Sequence, residues 1–489
     1  MKDIAEKSLF VIPEKIKRLL WLFIILGIGM FIAGLLTGGD DSVLRTWQAF
    51  LINTVFWAGI AHAGIFFSVI WQLTDAKWGR PFKRLAEACA GFLPYSFLMF
   101  VIVFFGSNIL YEWTHSPFLH HGVAVKSGWL NLPFFVSRNV VWLVLIYAVS
   151  WWFVKTSIKP DIALARKLLS PDWGGTFAEK MLKGYGEHED EVLRLEKLSR
   201  KTAPALALLY TFGGSFLAWD FVMTLDQEWF STLFGIFFII GNMHAFLGLM
   251  LVVSVSVRNR FGVEEYITIN RLHDLAKMVF AFSLLWAYMG YSQYLVIWYA
   301  DMPEETPYLV IRSMEQPWAT MFLLLIIAVF AIPFLGLLPK TFCRIPSYVR
   351  VMGIWVVIGQ WFVIYLMVVP SLQGKAEISK NTFQGNGPRR GGPPNFALWV
   401  REGSEILFND NIVKGWRHAM HASGAQAVSA NQNEVRHFLG NALVVQNTKT
   451  PATVTENIAH SSNPKAAVLA ITGKAGKVSG NRLKLNQDK

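Results

Sequence analysis

The sequence predicts an all-α polytopic membrane protein, and three observations predict it. Hydrophobic residues make up 53% of the 489 and charged residues only 16%, where a soluble domain carries nearer a quarter charged. The apolar residues come in blocks long enough to cross a hydrocarbon layer of about 30 Å, which takes roughly 20 helical residues. The blocks are continuously apolar rather than alternating, which favours helices over the short strands of a β-barrel.

Nine spans follow in order, near 19–38, 49–73, 89–111, 130–154, 203–222, 229–257, 278–300, 316–338 and 351–370. The first follows a basic amphipathic N-terminus over 1–18 (Lys2, Lys7, Lys15, Lys17, Arg18) and lacks a small-residue cleavage site, so it reads as a retained helix. The fourth opens with Pro133 in its first turn, where a missing N–H costs nothing. A long charged loop, 155–202, separates the fourth from the fifth.

Lys and Arg are sorted by loop. The N-terminus and the stretches 74–88, 155–202, 258–277 and 339–350 hold 26 of the 30 basic residues that precede the tail. Alternate loops hold Arg45, Lys126 and Arg312 and are acidic, with Asp40, Asp41, Asp226, Glu228, Asp301, Glu304 and Glu305. The basic face is therefore expected in the cytoplasm, with the N-terminus inside.

Nine spans leave the tail, 371–489, outside. It carries 15 Lys and Arg against 7 Asp and Glu, which accounts for most of the chain's formal charge of +12. Its GNGPRRGGPP string and low hydrophobicity read as linker and disorder. A frame-shifted or foreign end, replacing a tenth span, would look the same.

A faint internal repeat links the spans. His62 in AHAG matches His244 in MHAF, Pro133 in LPFF matches Pro317 in QPWA, and Trp113 matches Trp298, at nearly equal offsets. Offsets spanning four helices imply two four-helix bundles in the same orientation, over 49–222 and 229–370, with the first span flanking them. The two cysteines, Cys89 and Cys343, sit in no metal-ligand spacing, so any redox centre is expected in a partner.

Polar residues inside spans are the functional candidates, because a charge at a helix centre costs roughly 2.5–3.5 kcal/mol by insertion scales. His62 and His244 lie mid-span, where an imidazole can bond across helices or pass a proton. Asp274, Lys277, Tyr288, Tyr291, Ser292 and Tyr299 form a polar seam along the seventh span that can hold a water file. The plainer reading is an interfacial Asp274–Lys277 ion pair and a tyrosine belt. Asp220 and Asp226 flank the outer end of the fifth span and can cap or hydrate the turn beyond it. Arg138 lies too deep for a short snorkel and is expected to pair with a carboxylate or backbone carbonyls.

Several strings together resemble the NrfD/polysulfide-reductase membrane-subunit family, and within it the second large membrane subunit of bacterial alternative complex III, a quinol:cytochrome c oxidoreductase. They are SLFVIPEKIKRL, FWAGIAHAGIFF, LYEWTHSPF, KSGWLNLPFFVSRN, WDFVMTLDQEWFSTLFG and HDLAKMVFAFSLLWAYMGYSQYLVIWYADMPEET, covering about 8–370. The resemblance implies two four-helix bundles with additional helices and no cofactor in the chain itself. It implies quinol or menaquinol at an interface, and haem c and iron–sulfur clusters in partners: a sister membrane subunit, an iron–sulfur subunit, cytochrome c subunits and a terminal oxidase. It makes His62, Asp220, Asp226, His244, Asp274, Lys277 and Tyr288 proton-path candidates. Trp113, His115 and Arg138 become quinone-headgroup candidates. Relatives return through a tenth helix; this chain departs from that pattern after Pro370. The rival classes are a proton-coupled secondary transporter, which intramembrane Asp, Lys, Arg and His also suit, and a purely structural anchor.

Overall fold

A computed structural model describes residues 12–372 except 38, 116–118, 121–122, 125, 171, 228 and 303–304, and beyond them 375–379, 382–384, 396–401, 405–414, 416, 418–425, 427–436, 438, 440–448, 451–461, 463, 466–472 and 475–485. Lys2, Lys7, Glu228, Glu304 and the GNGPRRGGPP string lie outside the described residues. The chain divides into two units, Met1–Leu372 and Gln373–Lys489.

The first unit is helical. Its helices are α1 (Glu14–Leu36), α2 (Asp40–Thr74), α3 (Arg80–Glu87), α4 (Leu93–Phe105), α5 (Ser107–Leu110), α6 (Leu132–Leu168), α7 (Gly175–Leu182), α8 (His188–Phe221), α9 (Leu233–Phe261), α10 (Ile269–Ala300), α11 (Thr306–Ser313), α12 (Trp318–Leu325), α13 (Ile332–Leu337) and α14 (Pro346–Leu372). A short antiparallel pair, β1 (Leu119–His120) and β2 (Val123–Ala124), precedes α6. Among the described residues eight helical stretches are long and apolar enough to cross a membrane, which marks a multi-pass membrane protein with lipid-facing helices. The ninth segment read from sequence, 278–300, is helical within α10 but stands outside those eight. Its Tyr, Ser and Gln side chains dilute the apolar run. The repeat between two bundles has no separate support in the structure.

Local chemistry sets the helix ends. Asn131 caps α6 by accepting from the Phe134 N–H at 3.0 Å, with Pro133 in the first turn. Gly262 ends α9 in the left-handed region at φ 59°. The core of this unit lies where α2, α6, α8, α9 and α14 meet, and α1 stays on its edge with no buried residue, attached through Phe31 against Trp47 and Phe50. Without a hydrophobic drive between helices in lipid, close backbone approach carries much of the packing. At the α9–α14 contact a Cβ on Gly353 would lie 2.5 Å from the Gly248 carbonyl oxygen, so that position requires glycine, and a Cβ on Gly248 would lie only 3.0 Å from the Gly353 carbonyl oxygen.

At two of the helix-interior prolines of this unit, a side chain from another helix meets a carbonyl that the proline leaves without its intrahelical donor. Pro370 in α14 cannot bond back to Leu366, whose carbonyl accepts from Arg312 Nε at 3.1 Å. Arg312 also donates to the carbonyls of Met367 (2.9 Å) and Tyr308 (2.8 Å) and to Ser371 Oγ (2.6 Å). Its guanidinium stacks 3.5 Å over the Tyr308 ring, which lies 3.6 Å from the Trp229 ring. Burial pulls this guanidinium below its ordinary value, against the field of Tyr308 and Asp226. Between α12 and α13 the helix widens to π geometry over Ile326–Ala331. The Ala328 carbonyl, five residues before Pro333, accepts from Trp355 Nε1 at 2.8 Å.

The second unit corrects the reading of 371–489 as linker and disorder, and with it the purely α fold class. Strands β3 (Lys375–Ser379), β4 (Thr382–Gln384), β5 (Phe396–Arg401), β6 (Glu405–Asn409), β7 (Ile412–Lys414), β8 (His418–Ser423), β9 (Ala427–Asn431), β10 (Glu434–Arg436), β11 (Asn441–Gln446), β12 (Ala452–Thr455), β13 (Ile458–Ser461), β14 (Ala467–Thr472), β15 (Ala475–Ser479) and β16 (Arg482–Leu485) form three parallel sheets among the described residues. Each circuit of the chain adds one strand to each sheet, so the unit is a solenoid. Its interior is filled by small and branched residues such as Val413, Ala419, Val428, Ala430, Val435, Leu443, Val454 and Ala459.

The circuits repeat a corner. Asn409-Asp410-Asn411, Asn431-Gln432-Asn433, Thr455-Glu456-Asn457 and Ser479-Gly480-Asn481 each put their middle residue in the left-handed region, at φ 55°, 56°, 58° and 73°. The third residue of each corner stacks on the next. Asn433 Oδ1 accepts from the Asn411 N–H and Nδ2, both at 3.0 Å, and its own Nδ2 reaches the Phe408 carbonyl (2.6 Å) and Asn457 Oδ1 (2.8 Å). Asn457 repeats this towards Asn481 at 2.8 Å and the Ala430 carbonyl at 2.8 Å. The asparagine column thus satisfies turn amides that the solenoid would otherwise bury unpaired.

Two outcomes follow. Asn433→Ala orphans several of these buried groups and is expected to cost about 2–4 kcal/mol; accelerated proteolysis within 375–485 is the readout. Arg312→Lys, which keeps the charge but loses the fork, is expected to lower detergent unfolding stability by about 2 kcal/mol.

Candidate functional site

Buried polar side chains gather in three tiers within the helical unit, between α2, α4, α6 and α8. Helix α6 carries one member or more of each tier. Asn139, Ser150 and Ser157 return to nearly the same face after 11 and 18 residues, Tyr147 lies close to it, and all four are buried. At 1.5 Å per residue the tiers lie on the order of 10–15 Å apart along the helix.

The first tier centres on Asp220, which is 0% exposed at the end of α8. Arg138 donates to it twice, from Nε at 2.7 Å and Nη2 at 2.8 Å. Asn139 Nδ2 adds a bond at 2.7 Å and Trp129 Nε1 another at 3.1 Å, so both carboxylate oxygens are fully used. Arg138 Nη1 also donates to the Trp129 carbonyl at 2.8 Å, and the guanidinium sits 4.1 Å from the Trp129 ring. An open-sided cavity lies over this cluster, lined by Trp129, Phe134, Trp142 and Phe216 together with Arg138, Asn139 and Asp220. Among the described residues, two of the five N–H groups of Arg138 have no protein partner, and Asn139 Oδ1 is an acceptor without one.

The second tier surrounds His62. Its Nε2 lies 3.0 Å from Tyr147 Oη, Tyr147 Oη lies 2.8 Å from Ser96 Oγ, and Ser96 Oγ donates to the Leu93 carbonyl at 2.8 Å. The Ser96 proton is thereby used, so Ser96 accepts from Tyr147, and Tyr147 accepts from a protonated Nε2 of His62. That leaves His62 Nδ1 as an acceptor. A second crevice, lined by His62, Gly59, Phe66, Tyr210, Phe238 and Asn242 among others, lies beside it. Tyr210, whose ring centroid is 5.7 Å from His62, shares its hydroxyl with Ser150 Oγ at 2.6 Å.

The third tier was missed in the sequence. Glu87 is 2% exposed, accepts from Ser157 Oγ at 2.7 Å and Ser68 Oγ at 3.0 Å, and forms an ion pair with Arg84. Arg84 extends the cluster to Asp161 at 2.6 Å and to the Ser157 carbonyl at 2.8 Å. Glu87 lies in a loop-like string at a span boundary, KRLAEACAGF, which reads as a solvated charge. Ser68 and Ser157, one on each flanking helix, were the available signal.

The remaining candidates separate. His244 is 0% exposed and accepts at Nδ1 from Gln360 at 3.0 Å, while its Nε2 is buried without a partner among the described residues. Asp274 and Lys277 form an ion pair of 2.6 Å with both side chains more than a third exposed, which is the plainer of the two readings. Tyr288, Tyr291 and Tyr299 are exposed, so the structure does not line an internal water file with them. Asp226 is half-buried and its field reaches Tyr308 and Arg312. Trp113 packs into the core against Tyr111 and Phe135, each at 5.4 Å. His115 is exposed and bonds to Thr114 at 3.0 Å. Neither lines the Arg138 cavity.

No protein-family profile and no curated protein matches this chain.

Removing one partner of a buried ion pair strands the other. Asp220→Ala is expected to destabilise the helical unit by about 3–5 kcal/mol in detergent unfolding, and the double change Asp220→Leu with Arg138→Met to recover most of that loss.

Proposed function

We propose that this chain is an integral membrane subunit of a quinol-oxidising respiratory complex of the quinol:cytochrome c oxidoreductase type, in the bacterial cytoplasmic membrane with its N-terminus inside. One observation carries the reading: a cavity lined by charged, hydrogen-bonding and aromatic side chains opens at one end of a helical unit whose interior holds titratable side chains in tiers to the other end. The resemblance of the membrane-span strings supports it too.

Quinol oxidation releases two electrons and two protons. The electrons require metal centres, which iron–sulfur and haem c partner subunits would supply. The protons require only titratable side chains and water. In the Arg138 cavity, the two remaining guanidinium N–H groups suit a quinone carbonyl and Asn139 Oδ1 suits a quinol hydroxyl. The flat walls of Trp129 and Trp142 suit the ring. From there His62, Tyr147 and Ser96 form a hydroxyl–imidazole chain that can reverse its donor direction, and Glu87 with Ser68 and Ser157 ends the sequence.

The path depends on the Tyr147 hydroxyl, so Tyr147→Phe is expected to lower quinol-driven cytochrome c reduction about tenfold or more in membranes while the amount of folded subunit stays level. An unchanged rate would remove the second tier from the path. Solute uptake by the isolated chain, independent of quinol, would favour the transporter class instead.

A further inference from the structure

Beside the second tier, two buried polar side chains line one crevice between α2, α8 and α9. His62 is 6% exposed and Asn242 is 7% exposed. With Nε2 of His62 donating to Tyr147, its Nδ1 is an acceptor. The Asn242 amide brings two donors and an acceptor. Among the described residues neither Nδ1 nor the amide has a protein partner, and neither is sealed in as His244 Nε2 is, so both open on the crevice. Helix periodicity brings them together. Gly59, His62 and Phe66 follow one another at three and four residues along one face of α2. The Asn242 amide lies against Gly59, one turn from His62, and a Cβ at that glycine would run into it. Tyr210, also on the wall, has its hydroxyl engaged with Ser150 Oγ.

We propose that this crevice is a binding site for one water molecule, which donates to His62 Nδ1 and accepts from the Asn242 amide. The crevice has room for about one water molecule and too little for a quinone ring. A lipid chain would fill the space but leave the imidazole and the amide unpaired, which an apolar medium penalises. Two polar partners of opposite sense meet what a buried water needs. The site gives His62 its second connection. An imidazole passes a proton on only when one nitrogen receives as the other releases. A protonated water at Nδ1 delivers the incoming proton and is left neutral, and the Nε2 proton leaves towards Tyr147 Oη. This relay role rests on the proton path proposed above; the water site does not.

The test uses the full chain with isotope-labelled histidine in lipid bilayers, without quinol, and reads magnetisation transfer from water to His62 Nδ1 by solid-state NMR, the signal being assigned by its loss in His62→Gln. Transfer is expected in the unaltered protein. Asn242→Leu, which keeps the bulk of the side chain without its amide, is expected to lose the transfer while the His62 Nε2 contact with Tyr147 persists, which separates a lost water from a lost fold. Asn242→Ser, which keeps a donor and an acceptor, is expected to retain it. Absence of transfer in the unaltered protein, or equal transfer in Asn242→Leu, would overturn the proposal. An unchanged rate of cytochrome c reduction in Tyr147→Phe would remove the relay and leave the water site standing, so the two readings fail separately.

Discussion

A carboxylate with no exposed surface sets the terms for the helical unit. Asp220 could not be buried among these helices without donors, because burying a charge is tolerated only when it is paired and fully hydrogen-bonded. Arg138, Asn139 and Trp129 provide four donors from α6 and the segment that leads into it. That demand ties the end of α8 to the start of α6, beside the aromatic-lined cavity. The same rule explains the deeper tiers, where each hydroxyl, imidazole or carboxylate reaches across to another helix instead of to water.

Proline shows the rule at work on the backbone. Pro370 and Pro333 each leave a carbonyl without its helical donor, and the vacancies are met by side chains from other helices, Arg312 and Trp355. Arg312 was read from sequence as an ordinary loop cation. Its burial follows from the need of the α14 carbonyls, so the helix defect and the buried guanidinium are one feature with two ends.

The apolar blocks were legible because span length is a property of composition, and Arg138 was legible as a buried cation because it sits too far from a span end to reach water. Asp220 was harder: it stands six residues from Asp226 near a turn, and a capping role accounts for that position equally well. Glu87 stayed hidden because burial of a carboxylate at a span boundary depends on which helices flank it, and no single-chain pattern states that. The solenoid was hidden differently. Its period is present in the corners Asn409-Asp410-Asn411, Asn431-Gln432-Asn433 and Thr455-Glu456-Asn457, but its core is built from alanine and valine in strands of three to six residues. Such strands give low average hydrophobicity, and composition alone cannot distinguish a polar chain from a narrow core stabilised by stacked asparagines.

The central claim is that the tiers serve protons released by a reaction whose electrons go elsewhere, to proteins bound beside this one. Mild-detergent isolation of the tagged chain from its native membrane, followed by native mass spectrometry and optical spectra, addresses that claim directly. The account predicts a stoichiometric assembly containing iron–sulfur and haem c polypeptides. Recovery of the chain as a lone polypeptide, from membranes in which quinol-driven cytochrome c reduction is intact without it, would contradict the account.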